Sequence, residues 1–323
     1  MIKKIKQIIE QCLKENPCEA EIRCNEPMKD HTTFKIGGPA DVWISPDGEG
    51  FSGFCVSLLN RCLDQNIPLF VLGGGANIVV SDKGIRGIVL DMNAWRGESV
   101  WMLCAENKDE LILKSGTGID EAADNACAAG LSGLEFLAGM PGTVGGALWM
   151  NARCYGKEIS DVLSWAEVIC YEELKREYII KRFEFKDKSG FGYKKSPFQE
   201  MNCIILSAAF KLQKGDKEKM LLDMENKRQD RQVKGHYLFP CAGSVFKNDH
   251  NFGKPAGQII DELGLKGLQK GGAQVAPFHG NIIINNGNAT ASDIRALVNE
   301  VKEKVNIAAG FDLEPEILFV GEW

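Results

Sequence analysis

Apolar residues near the start of the chain recur at helical spacing. Ile2, Ile5, Ile8, Ile9, Cys12 and Leu13 are separated by Lys, Gln and Glu, which predicts one amphipathic helix over residues 2–14, read as a packing element. Residues 51–65 predict a second helix, and Leu69–Leu72 a short buried strand that runs directly into Gly73-Gly74-Gly75-Ala76-Asn77. Strands are expected at 85–92 and 110–115, a helix of small residues at 120–131, and then the glycine-dense stretch 139–146. Residues 162–171, 178–185 and 203–212 have strand character with no long helix between them, which predicts a mostly antiparallel sheet. The pattern changes near Gly215. A highly charged helical run at 217–232 is followed by a helix at 255–263, a strand at 282–285, a helix from a capping Ser292 to about 305, and a strand at 316–320. The expected class is α+β.

Length and composition narrow the field. With 323 residues, 44% hydrophobic and 25% charged, the chain reads as a folded protein of about two domains. Its 38 basic against 44 acidic side chains leave a net charge of −6, which argues against nucleic-acid or anionic-membrane binding through a whole-protein field. No apolar run reaches the ~18 residues of a membrane span, and the N-terminus lacks a signal-peptide core, so a cytoplasmic location is expected. The 11 cysteines are an odd number with no Cys-x-x-Cys, and the four histidines form no metal-binding spacing. Reduced thiols and no metal site are expected, so redox chemistry would come from an organic cofactor.

Three glycine clusters stand out: Gly37-Gly38, Gly73–Asn77, and Gly139-Met-Pro141-Gly142-Thr143-Val-Gly145-Gly146. Glycine reaches positive φ and lets backbone N–H groups approach an anion, although any one cluster is also what a tight turn requires. Three of them, none matching Gly-x-Gly-x-x-Gly or the P-loop, point to a non-Rossmann diphosphate cofactor, a description that flavin adenine dinucleotide fits. The C-terminal third supplies Cys241-Ala-Gly-Ser244-Val-Phe-Lys247-Asn248, His279 and Leu313-Glu314-Pro315-Glu316. Each alone is compatible with turns and solvated charges. No Gly-x-Ser-x-Gly elbow surrounds Ser244, which argues against serine hydrolase chemistry and leaves its hydroxyl as a candidate proton donor.

Together these strings, with His31-Thr-Thr-Phe-Lys-Ile-Gly-Gly-Pro-Ala and Met150-Asn151-Ala152, resemble the UDP-N-acetylenolpyruvoylglucosamine reductase family from about residue 30 onward. The resemblance implies a two-part FAD-binding half of the vanillyl-alcohol-oxidase-like flavin fold plus a smaller α+β substrate domain. The change of pattern near Gly215 sets the expected domains: an N-terminal helix over 1–19, an FAD-binding region over 20–212 in two subdomains that break near 92, and a substrate domain with its catalytic tail over 213–323. The implied reaction is NADPH-driven reduction of an enolpyruvyl ether to UDP-N-acetylmuramate, a peptidoglycan precursor, with FAD held noncovalently; a monomer is expected. Hydride addition to the methylene carbon builds negative charge on the neighbouring carbon and its carboxylate, and that charge needs cations or donors aimed at it.

By position, the resemblance makes Ser244 the proton donor, Glu316 its acidic partner and Lys194 the cation on the enolate. It places Gly37, Gly73, Gly74, Gly75, Ala76, Asn77, Gly139, Pro141, Gly142, Thr143, Gly145, Gly146 and Asn151 on the cofactor. Tyr193, Lys234, Asn248 and His279 fall on the substrate. The short interval from Tyr193 to Ser244 resembles the second type, which lacks a tyrosine-bearing substrate loop. Three positions depart from the family pattern: Lys194 stands for an arginine, Ala76 for a serine and Arg153 for a glycine. Two other readings remain open on sequence alone, a flavin oxidase acting on another alcohol or sugar and a non-catalytic UDP-sugar- or flavin-binding protein.

Overall fold

The apolar stripe of the first helix, Ile2–Glu15, is met by the second, Phe51–Asp64: Ile5, Ile8, Ile9 and Cys12 are buried in one core with Phe51, Phe54, Leu58 and Cys62. A computed structural model describes residues 1–97, 99–102 and 109–323. Contacts divide the chain into two units, the first being Met1–Cys24, Val42–Gly74 and Gly87–Arg228, the second Asn25–Asp41, Gly75–Arg86 and Gln229–Trp323. The division is therefore not contiguous, and the expected boundary at 213 falls inside the first unit. The reason is packing. Met220 and Met224 of the charged helix Lys217–Val233 bury against the core that holds Phe210 and Leu212.

In the first unit, Leu69–Leu72 pairs in parallel with the end of Ile85–Asp91, with Leu69 opposite Ile88. The expected antiparallel sheet is present. Leu163–Glu172 lies between Glu177–Glu184 and Ile204–Lys214, and the latter pairs on its other edge with Asp109–Lys114. A small-residue helix, Ile119–Ala128, and the short helix Val144–Trp149 pack into the same core as this sheet.

The second unit carries an antiparallel sheet in the order Cys241–Ser244, Ile282–Asn285, Ala273–Val275, Gln269–Lys270, with helices Ala256–Glu262 and Ala291–Ala309. A parallel pair, Ile78–Val80 with Leu318–Val320, joins it. Phe34, Ile36 and Val79 are recruited to this core although they come from the first quarter of the chain. The cap of the long helix is Thr290 rather than the expected Ser292. Thr290 Oγ1 accepts from the Asp293 N–H at 3.0 Å, and Asp293 returns a bond to the Thr290 N–H, a reciprocal box. The Ser292 hydroxyl instead donates to Asp82. Strands such as Pro39–Asp47 were not expected because both of its faces are buried, which erases the alternation that marks a strand. No helix among the described residues is long and apolar enough to cross a membrane.

Candidate active site

In the first unit the loop after Leu69–Leu72 meets the loop before Val144–Trp149 backbone to backbone. A Cβ on Gly74 would lie 2.6 Å from Gly142 Cα, and one on Gly73 would lie 2.8 Å from Thr143 Oγ1. No side chain fits there. The N-terminal donors of the short helix are satisfied inside the protein: Val144 N–H donates to Thr117 O, Gly145 N–H to Ser115 O, and Gly146 N–H to Thr143 Oγ1. Gly139, at φ +72°, donates its N–H to Asp120 Oδ1, which also accepts from Arg228. The glycines at 139 and 142–146 thus serve turns and close approach more than a cradle of free N–H groups, and Pro141 sits exposed at the loop's tip.

Two hydroxyls that the sequence reading did not single out mark where an acceptor is missing. Ser115 Oγ and Thr117 Oγ1 are buried, lie beside residues 144 and 145, and have no hydrogen-bond partner among the described residues. A buried donor without an acceptor is costly, and the phosphate or ribose oxygens of a dinucleotide would satisfy it. The residues present therefore fit FAD. The signal in the sequence was Ser115-Gly116-Thr117 at the end of a strand, small polar residues where a chain leaves a sheet.

A turn in the first unit, tied to the end of helix Val144–Trp149, carries Lys194. Gly192 and Lys195 exchange backbone bonds, and between them Lys194 stands at φ +58°, costly for a side chain. Surrounding bonds hold it there. Fully buried Asn151, itself at φ +43°, donates to Gly192 O at 2.8 Å and to Glu158. Ser196 and Gln199 donate to Trp149 O, and Gln199 also to Lys194 O. Asn151, expected on the cofactor, is instead spent inside the protein. Tyr193 is exposed on the same turn.

In the second unit Glu316 N–H donates to Val245 O at 2.7 Å and Lys247 N–H to Glu314 O at 2.9 Å, so residues 244–247 run antiparallel to 314–317. The Gly243 turn, at φ +69°, ends the strand on half-buried Ser244, and Glu316, 8% exposed, sits one register step away. The Asn77 amide donates to Glu316 O, and Asn77 O accepts from Leu318 N–H. Asn77, expected on the cofactor, brackets the glutamate.

Gly75, at φ +60°, would place a Cβ 2.1 Å from His31 O, and Thr33 N–H donates to Gly75 O. Ala76 follows on this loop. Gly37, at φ +140°, would place a Cβ 2.9 Å from Val80 Cβ, so packing by itself already calls for glycine there.

Of the substrate candidates, Asn248 Oδ1 accepts from Ala256 N–H at the start of its helix, and Lys234 pairs with Asp230 at 2.7 Å. His279 Nδ1 accepts from the Asn281 N–H at 3.1 Å, which assigns the neutral ring's proton to Nε2. Burial, together with Lys234 and Lys266, holds its pKa below the ordinary histidine range. Its neighbour His236, ring centres 6.0 Å apart, is pushed down to about 4 by burial and by Arg231, His279 and Lys234.

The chain matches the family model described as "UDP-N-acetylenolpyruvoylglucosamine reductase, C-terminal domain" over residues 234–320 and "FAD binding domain" over 55–173. The UDP-N-acetylenolpyruvoylglucosamine reductase of Treponema denticola is 41% identical over 94% of this chain and 95% of its own length. This chain belongs to the UDP-N-acetylenolpyruvoylglucosamine reductase family. A further reductase, from Caldanaerobacter subterraneus, is 39% identical over 98% of this chain and 99% of its own. The crystal structure of the Thermus caldophilus reductase superposes with a TM-score of 0.72 at 31% identity, covering 94% of this chain and all of that one. Agreement at that coverage includes both units, which a flavin oxidase sharing only the cofactor half would not reproduce. The FAD-binding match spans the 73–74 and 139–146 loops with Ser115 and Thr117, and the reductase match spans Ser244 and Glu316.

Proposed function

We propose how the residues of this chain divide the labour of the family's reaction. The chain is an FAD-dependent, NADPH-driven oxidoreductase that reduces UDP-N-acetylglucosamine enolpyruvate to UDP-N-acetylmuramate in peptidoglycan precursor synthesis. Bound flavin supplies the hydride that NADPH has delivered. Gly73, Gly74 and Gly142 would bring side-chain-free backbone to it, with Gly75, Ala76, Gly139, Pro141, Thr143, Gly145 and Gly146 shaping the loops and Ser115 and Thr117 donating hydroxyls.

When hydride reaches the methylene carbon, negative charge grows on the adjacent carbon and carboxylate. Lys194, held on its strained turn, meets that charge as a fixed cation. Ser244 then donates its proton to the carbon, and Glu316 assists as the acidic partner. The observation that supports this reading is the register of 244–247 against 314–317, bracketed by Asn77, which holds the segments that carry Ser244 and Glu316 side by side. Lys234, Asn248, Tyr193 and the Nε2–H of His279 supply the polar contacts to the UDP-sugar. The enzyme works as a monomer in the cytoplasm, where its ten described cysteines, all free thiols, stay reduced.

The test separates two half-reactions by stopped flow. In Ser244→Ala, NADPH bleaches the flavin at the normal rate, because no proton from Ser244 is needed. Reoxidation by the enolpyruvyl substrate slows by at least about 10²-fold, the lower end for loss of a positioned general acid. Normal reoxidation would reduce Ser244 to a turn residue.

A further inference from the structure

Arg153 occupies a position where the family pattern has glycine, and the first unit shows why a side chain is tolerated there and what it faces. Residues 153–154 pair with 157–158 in a tight hairpin, Arg153 opposite Glu158, with Tyr155 and Gly156 both at positive φ in the connecting turn. Arg153 is thus an extended strand residue. Asn151, just before it, ties this hairpin to the Gly192–Lys195 turn by donating to both Glu158 and Gly192 O. The tie brings two cations to one ring. Arg153 Cζ lies 5.8 Å and Lys194 Nζ 6.0 Å from the centre of Tyr193. The Arg153–Glu158 approach is 3.7 Å, longer than a hydrogen bond, and the other Glu158 oxygen accepts from Asn151 at 3.1 Å. Lys195, the next cation along, turns away to Glu200 at 2.9 Å.

A guanidinium grips a carboxylate through two parallel N–H bonds, whereas an ammonium acts as a point charge. This chain has a lysine where the pattern has arginine and an arginine where it has glycine, and the hairpin and turn set the two at one ring. We propose that Arg153 supplies the bidentate fork for the substrate's carboxylate, so that this specificity is shared between Arg153 and Lys194. The inference rests on the reading of Lys194 given above.

The test uses the FAD-loaded enzyme and two ligands that differ in the group at issue: UDP-N-acetylmuramate, which carries a carboxylate, and UDP-N-acetylglucosamine, which lacks one. Arg153→Ala weakens the first at least about tenfold by calorimetry and leaves the second within about twofold, the effect of losing one charge-assisted contact. Arg153→Lys falls between. Lys194→Arg placed in the Arg153→Ala background restores part of the lost affinity by returning a fork beside the same ring. Equal weakening of both ligands would make Arg153 a structural residue, and no change in either would place it outside the site; both overturn the proposal. Lys194→Ala distinguishes the underlying reading. Slow reoxidation there with a silent Arg153→Ala sinks only the new inference, whereas normal reoxidation there with an impaired Arg153→Ala sinks only the role of Lys194.

Discussion

At Gly74 one added methyl group would meet Gly142 Cα at 2.6 Å, backbone against backbone. At Ser244 and Glu316 backbone bonds set the register, and it is the side chains to which the proposed chemistry is given. The first region works by the absence of side chains, the second by their placement. Mutation should therefore break them differently. A change in the glycine loops acts on folding and cofactor together, whereas a change in the paired segments leaves the fold and removes a chemical step.

The largest effect expected from that contrast is Gly74→Ala. Neither facing backbone can give way cheaply, so the variant loses stability near the upper end of the roughly 1–3 kcal/mol typical of overpacking. It purifies without the flavin absorbance near ~450 nm expected of a bound oxidised flavin. Thermal unfolding and the visible spectrum check both at once. A stable yellow Gly74→Ala would mean that the two loops can separate, and the contrast with the second unit would disappear.

A sharper probe of the first region removes only hydroxyls. Thr117→Val and Ser115→Ala each take away a buried donor that has no partner among the described residues. The apoprotein then keeps or slightly gains stability, because no intramolecular bond is lost, while FAD affinity falls about tenfold per site, close to the worth of one hydrogen bond to a charged acceptor. Titration of apoprotein with FAD, paired with its melting temperature, separates the two outcomes. A drop in apoprotein stability with unchanged FAD affinity would make these hydroxyls structural.

The smallest effect concerns acid. His236, in the second unit, titrates near 6.5 when unfolded and at about 4 in the native state, because burial and the cations Arg231 and Lys234 outweigh Asp230. Between those values the unfolded chain takes up a proton that the native chain refuses. Its contribution to stability is present above about pH 6.5 and is lost as the pH falls toward 4, by about 1 kcal/mol once solvent screening of the half-buried ring is allowed for. Denaturant unfolding at pH 7 and pH 4.5 should show the loss, and His236→Gln should flatten that part of the profile. An unchanged slope in the variant would assign the acid sensitivity elsewhere.

The sequence by itself determined the strongly periodic elements, since a 3.6-residue stripe such as Ile5-Ile8-Ile9-Cys12 has one economical way to be buried. It also determined the family, because Pro-Gly-Thr-Val-Gly-Gly and Gly-Ser-Val-Phe-Lys-Asn are specific as ordered strings. Tertiary structure decided what individual residues in those strings do. Asn77, Asn151 and Gly37 sit in motifs of the site yet spend their polar atoms or conformational freedom on the protein, a fact set by neighbours 239, 41 and 43 residues away in Glu316, Gly192 and Val80. Ser115 and Thr117 carry no motif, and only packing shows that their buried hydroxyls meet no partner among the described residues. The division into units was likewise decided in three dimensions, because Phe34, Ile36 and Val79 find their apolar partners far along the chain. Local pattern records which residues must be buried; it does not record against what.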